Sequence, residues 1–167
     1  MALLKILHHP DPRLRDKARP VAAFDGDLAK LIEDMFETMY AAPGVGLAAT
    51  QIGVPLRVAV MDCSESRDRR IVIANPELRS CEDLQQMEEG CLSVPEVRDT
   101  VRRYNRVRLS AQDAAGKPFE LDAEGLLAQC IQHEIDHLDG KLFVDYLSSL
   151  KRERIRRRLT KLQRESA

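Results

Sequence analysis

The sequence predicts an α+β fold: mixed, mostly antiparallel sheets packed around a central helix, with an N-terminal helix before it and a C-terminal helix after it. Three observations carry this. Apolar residues recur at helical spacing over 27–41, over about 123–138, and again from Tyr146 onward. Two Val- and Ile-rich segments, Leu56 to Met61 and Ile71 to Ala74, read as strands. Val107, Leu109 and Ala111 alternate with polar residues, as in a half-buried strand.

The 167 residues are expected to form one domain spanning 1–167. With 44% hydrophobic and 32% charged residues the chain is globular rather than disordered. A net charge of −1 provides no global field for nucleic acid, so direct DNA binding is not expected. No apolar run approaches the roughly 18 residues of a membrane span, and Met1 to Leu7 is too short an apolar run for a secretory signal. Cys63, Cys81, Cys91 and Cys130 then read as free thiols in a reducing cytoplasm, with room for one to be a ligand.

Along the chain, residues 1–24 read as a loop with one helical turn, because two prolines interrupt Leu7 to Arg15; His8 and His9 there read as solvated or packed. The helix over 27–41 places Leu28, Leu31, Ile32, Met35, Phe36, Met39 and Tyr40 on one stripe. Asp25 or Asp27 caps its start and Pro43-Gly44 ends it. The small residues of Gly44-Val45-Gly46-Leu47-Ala48-Ala49 allow close approach of a backbone or a ligand, and Gln51 follows as a neutral amide donor. Asp62 to Arg70 is a charged surface loop. After the turn Ala114 to Pro118, Phe119 to Leu121 returns as a strand, and the next helix runs from about Ala123 to Leu138, with Asp122 as its cap and Gly140 past its end. The last helix, about 147–164, uses Leu147, Leu150, Ile155, Leu159 and Leu162 as its apolar residues. Residues 151–165 hold eight Lys or Arg against two Glu, a local charge of +6 that suits a solvated face or a polyanion such as RNA.

Chemistry concentrates in His133-Glu134-Ile135-Asp136-His137. Residues i and i+4 of a helix share a face, so both imidazoles can reach one metal ion and Glu134 a water beside it. A catalytic site of this type needs a third protein ligand. No His follows His137, and the first Glu after it, Glu153, lies in the basic tail. Cys130 shares the helix face, but at 1.5 Å per residue it lies roughly 7 to 8 Å along the axis from the level midway between the histidines. A cysteine binds at about 2.3 Å and cannot span that gap. Cys91, in Glu89-Gly90-Cys91-Leu92-Ser93-Val94-Pro95, is the better candidate.

Three segments together, Gly44 to Gln51 (Gly-x-Gly-Leu-Ala-Ala-x-Gln), Glu89 to Ser93 (Glu-Gly-Cys-Leu-Ser) and His133 to His137 (His-Glu-x-x-His), resemble the peptide deformylases, as does Leu7 to Arg15. The resemblance covers nearly the whole chain and implies a single catalytic domain that removes the formyl group from N-formyl-methionyl nascent peptides and releases formate. It implies Cys91, His133 and His137 as ligands of one Fe²⁺, with Zn²⁺, Ni²⁺ or Co²⁺ able to occupy the site. Glu134 becomes base and then acid toward a metal-activated water, with the Leu92 N–H and the Gln51 amide facing the oxyanion. The peptide is expected to lie along Gly44, Val45 and Gly46, with the methionine side chain against Val45, Leu126 and Cys130. The basic last helix resembles a bacterial type that docks on the ribosome, which fits a bacterial cytoplasmic enzyme. Val101-Arg102-Arg103 departs from the Val-Pro-Arg common in relatives and is expected to bear only on loop stiffness.

Overall fold

The computed structural model describes residues 2–166. Residues 2–24 are irregular apart from one 3-10 turn, Pro12–Arg15, opened by the Asp11 carboxylate accepting from the Arg13 backbone N–H at 2.9 Å. The first helix, α1, spans Gly26–Ala41, and of the two candidate caps Asp25 serves, accepting from the Leu28 N–H at 3.0 Å. Asp25→Ala should cost about 1 kcal/mol, read as a lower urea midpoint at unchanged m-value.

Five strands follow: β1 (Gly46–Ala48), β2 (Val58–Met61), β3 (Ile71–Cys91), β4 (Val94–Gln112) and β5 (Pro118–Glu124). They form one sheet in chain order, and every neighbouring pair is antiparallel. The parallel contact is an isolated bridge between Arg19 and Leu56. All four β2 residues are fully buried. Successive strand side chains point to opposite faces, so Val58 and Val60 pack with α1 residues, while Ala59 and Met61 pack on the other face.

The second helix, α2, spans Gly125–Leu138 and fills that other face with Ala128, Ile131 and Leu138. It starts two residues later than its apolar spacing predicts, and Asp122 is not its cap. Asp122 belongs to β5 and pairs with Arg108 of β4 at 3.2 Å. Gly125, at φ +63, turns the chain from strand into helix, a backbone conformation that costs other residues more. A 3-10 turn, Phe143–Tyr146, then precedes the last helix, α3 (Ser149–Ser166), so the predicted start at 147 shifts to 149. Leu159, with Ile155 and Leu162, seats α3 on a third cluster that includes Leu14, Val94, Val101 and Phe143. Leu150 stays 61% exposed and takes no part in that seam.

The largest departure from the sequence reading lies in β3 and β4. No local signal assigns an element to residues 75–91 and 94–106, yet they form one long hairpin that ends at the two-residue connection Leu92-Ser93. Register shifts at Ala74/Glu77, Leu78/Ser80 and Gly90/Cys91 interrupt it. Its distal part is mostly exposed and charged, with Glu88 and Arg98 paired across it at 2.7 Å. Its inward face on β4 takes alternate residues: Val101, Arg103, Val107, Leu109 and Ala111 are buried. Residues 101–103 are therefore strand, not loop, and the two-residue period carries a guanidinium inside.

Candidate metal centre

Two elements build the centre. α2 presents His133, Glu134 and His137 from its buried face, and the tip of the β3–β4 hairpin presents Cys91. The Gln132 side chain ties helix to sheet, donating to the Tyr104 carbonyl at 2.7 Å and accepting from the Tyr104 N–H at 2.9 Å. His133 Nε2 and His137 Nε2 are 3.0 Å apart, and Cys91 Sγ is 3.3 Å from His137 Nε2. The three ligand atoms all lie within 4.8 Å of one another. A tetrahedral ion with N and S bonds of about 2.0–2.3 Å has edges of about 3.3–3.6 Å, so this donor set has nearly the spacing that such an ion requires. Burial holds His137 well below the usual histidine pKa. Cys130 is not part of the group: its sulfur lies 3.9 Å from Glu134 Oε2 and 3.8 Å from the Val45 carbonyl.

Outside the ligands stands an ionic network, buried at Glu89 and Arg103, that no sequence motif assigns. Glu89 accepts from His133 Nδ1 at 2.7 Å, which leaves Nε2 for the metal side. Arg103 donates to both Glu89 oxygens at 3.0 and 2.7 Å, and to Asp136 at 2.7 Å. Tyr146 donates to the same Asp136 oxygen at 2.8 Å. Glu89 and Arg103 are each 4% exposed. Burial pushes the Glu89 carboxyl up, but His133 and Arg103 outweigh it and hold it down at about 2. Glu89 was visible in the Glu-Gly-Cys motif without a role. Arg103 carried a signal too, in its even spacing from Val101 and Val107.

Glu134 is 2% exposed, and its Oε1 has no hydrogen-bond partner among the described residues. Burial, reinforced by Glu89, raises its carboxyl to about 7, against the pull of His133 and Arg103. Gly46 faces it across the gap: a Cβ there would stand 2.5 Å from Glu134 Oε2 and 2.8 Å from Cys130 Sγ. Gly46→Ala should therefore displace the carboxylate and lower turnover by about 10² or more, measured beside an unchanged metal content.

Gly46, Cys91, Cys130, His133 and Glu134 line the wall of an open cleft of about 510 Å³, together with Gly44, Val45, Gln51, Leu92 and Leu126. Val45 and Leu126 are 40% and 51% exposed, so they stand at its rim. Gln51 is buried; its Oε1 accepts from the Ala48 N–H at 2.8 Å, and its Nε2 donates to Ser93 Oγ at 3.0 Å and lies 3.6 Å from Cys91 Sγ. β1 is the edge of the sheet. The Val45 carbonyl and the Ala48 N–H point to opposite sides of it, one to β2 and one to Gln51, so by strand alternation the Gly46 N–H and C=O point away from β2.

A family model described as polypeptide deformylase matches residues 3–153. The chain belongs to the peptide deformylase family. It is 58% identical over 168 residues to the peptide deformylase of Stutzerimonas stutzeri (strain A1501), covering all of both chains. The crystal structure of a peptide deformylase from Legionella pneumophila superposes with a TM-score of 0.94 at 56% identity, over 99% of this chain and 98% of that one. That of Ehrlichia chaffeensis gives 0.95 at 37%, over 99% of each chain. The family assignment makes the chain a hydrolase that removes formyl groups from N-formylmethionine peptides. Among the described residues no helix is long and apolar enough to cross a membrane.

Proposed function

We propose that residues 1–167 act as one metal-dependent catalytic domain that hydrolyses the formyl amide of N-formyl-methionyl nascent peptides. Formyl-peptide and water give formate and a free amino terminus. The observation that carries the reading is the convergence of three N and S donors beside a buried carboxylate with an unpartnered oxygen, at a free strand edge.

Cys91, His133 and His137 would hold one divalent ion, Fe²⁺ in the cell, with Zn²⁺, Ni²⁺ or Co²⁺ as substitutes. Such an ion acidifies a water and polarises a carbonyl oxygen. Glu134 accepts the water's proton at Oε1 and passes it to the leaving amine. A carboxyl held near 7 suits both transfers at neutral pH. Gln51 turns one amide hydrogen from the long Cys91 contact to the developing oxyanion, and the Leu92 N–H is the second donor. The peptide adds as a strand to the edge at Gly44, Val45 and Gly46, with the methionine side chain against Val45, Leu126 and Cys130. The charged face of α3, exposed along most of its length, supports contact with the ribosome, and the whole reading fits a bacterial cytoplasmic enzyme.

The test is formate release from formyl-Met-Ala-Ser by protein purified without oxygen and loaded with Fe²⁺ or Ni²⁺. The expected result is stoichiometric formate and free Met-Ala-Ser, abolished by chelation and restored by metal. Absence of formate from protein carrying one ion per chain would overturn the reading.

A further inference from the structure

We propose that Arg67 is a positioning residue: from the loop after β2 it clamps the Gly44 carbonyl and so holds the edge that receives the substrate strand. This rests on the proposed strand pairing at Gly44 to Gly46.

The loop Asp62–Arg70 looks in sequence like a solvated charged turn, but it is folded around one buried carboxylate. Asp62 is fully buried. Its Oδ1 accepts from the Ser64 N–H at 3.1 Å and the Ser64 hydroxyl at 2.5 Å, and its Oδ2 accepts from the Tyr40 hydroxyl at 2.5 Å and the Arg69 N–H at 3.2 Å. Its own N–H donates to the Val45 carbonyl at 2.8 Å. The turn so formed holds Arg67 at φ +57, a left-handed backbone that a long side chain adopts only where the surroundings enforce it.

The guanidinium this presents spans two carbonyls, donating from Nη1 to Asp62 O at 2.9 Å and from Nη2 to Gly44 O. It lies over the Tyr40 ring, 4.9 Å from the centroid. The Gly44 N–H is held on the α1 side, by the Met39 carbonyl at 2.7 Å. Both ends of Gly44 are therefore fixed. A planar trans peptide points its C=O and the next N–H in opposite directions, so the clamp on Gly44 O aims the Val45 N–H away from the Arg67 loop. Val45 lines the cleft, and its N–H has no partner among the described residues. An edge aimed in advance binds an incoming strand without an ordering cost. Arg67 touches no reacting atom. Its effect should fall on substrate binding, and only for substrates long enough to pair.

The experiment compares wild type, Arg67→Ala and Arg67→Lys as full-length, metal-loaded proteins, with formyl-Met-Ala-Ser and with formyl-methionine, which has no strand to add. Arg67→Ala should raise KM for the tripeptide about tenfold with kcat within about twofold, and change formyl-methionine far less. Amide exchange in residues 42–48 should quicken while that of α2 does not. Lysine carries one ammonium where the fork spans two carbonyls, so Arg67→Lys should recover part of both effects and also serves if the alanine variant folds poorly. Unchanged exchange in 42–48, or equal losses on both substrates, would overturn the clamp. A wild type that releases no formate would instead overturn the deformylase reading, and the exchange arm would then decide the clamp alone.

Discussion

Glu134→Gln should leave one metal ion per chain and lower formate release by about 10³-fold. The substitution keeps the shape of the side chain and replaces a proton acceptor with an amide. Every ligand atom stays in place, because Cys91, His133 and His137 make no hydrogen bond to Glu134. The Oε1 that loses its basicity is the oxygen with no partner among the described residues, so no hydrogen bond described there is broken. Its surroundings explain why no neighbour can stand in. Cys130 is buried, and its thiol is held well above its ordinary pKa by Cys63 and by burial. His133 Nδ1 is committed to Glu89, and the Glu89 carboxyl, at about 2, is too weak a base to compete. Metal analysis and kcat on formyl-Met-Ala-Ser check this together. A tenth or more of the wild-type activity at full metal content would show that Glu134 is not the proton carrier.

The sequence showed the parts whose cause is local. The α1 stripe and the His133–His137 pair follow from the 3.6-residue period, and the structure places each where that period puts it; of the two aspartates that could cap α1, it uses Asp25. Cys91 emerged by elimination and by its setting, and the structure brings it to the histidines across the molecule. The failures share one cause. Residues 78–90 hold no β-branched residue and many charges, so nothing local marks a strand; they become one because β4 lies opposite and supplies ladder bonds and cross-strand partners. The network of Glu89, Arg103, Asp136 and Tyr146 was illegible for the same reason. Its members come from β3, β4, α2 and the turn before α3; even spacing from Val101 and Val107 puts Arg103 on their face, but only the fold reveals the carboxylates it meets there. The loop after β2 misled in the opposite way, since its charge reads as solvation while Asp62 is fully buried.

Arg103→Met should destabilise the protein by about 3 to 5 kcal/mol, which for a chain of this size lowers the melting temperature by about 10 °C. Methionine follows the arginine side chain as far as the Nε position and removes only the guanidinium end, so the loss reports chiefly the charged fork. Two carboxylates depend on it. Glu89 would remain buried with His133 as its remaining strong partner, and Asp136 would keep the Tyr146 hydroxyl. Burial pushes the Glu89 carboxyl upward and Arg103 is among the groups that hold it down, so the variant's Glu89 titrates higher and moves toward its neutral form. A neutral Glu89 is a poorer acceptor for His133 Nδ1, and the orientation of Nε2 loosens with it. Metal affinity should then fall by about 10- to 100-fold, while Arg103→Lys, retaining one charge but not the fork, should fall between. Thermal unfolding with and without metal, beside a competition titration with a chelator, separates the two effects. A melting temperature within about 2 °C of wild type would mean that the network is not what holds α2 to the hairpin. A stability loss at unchanged metal affinity would confine Arg103 to the fold and leave His133 oriented by Glu89 without it.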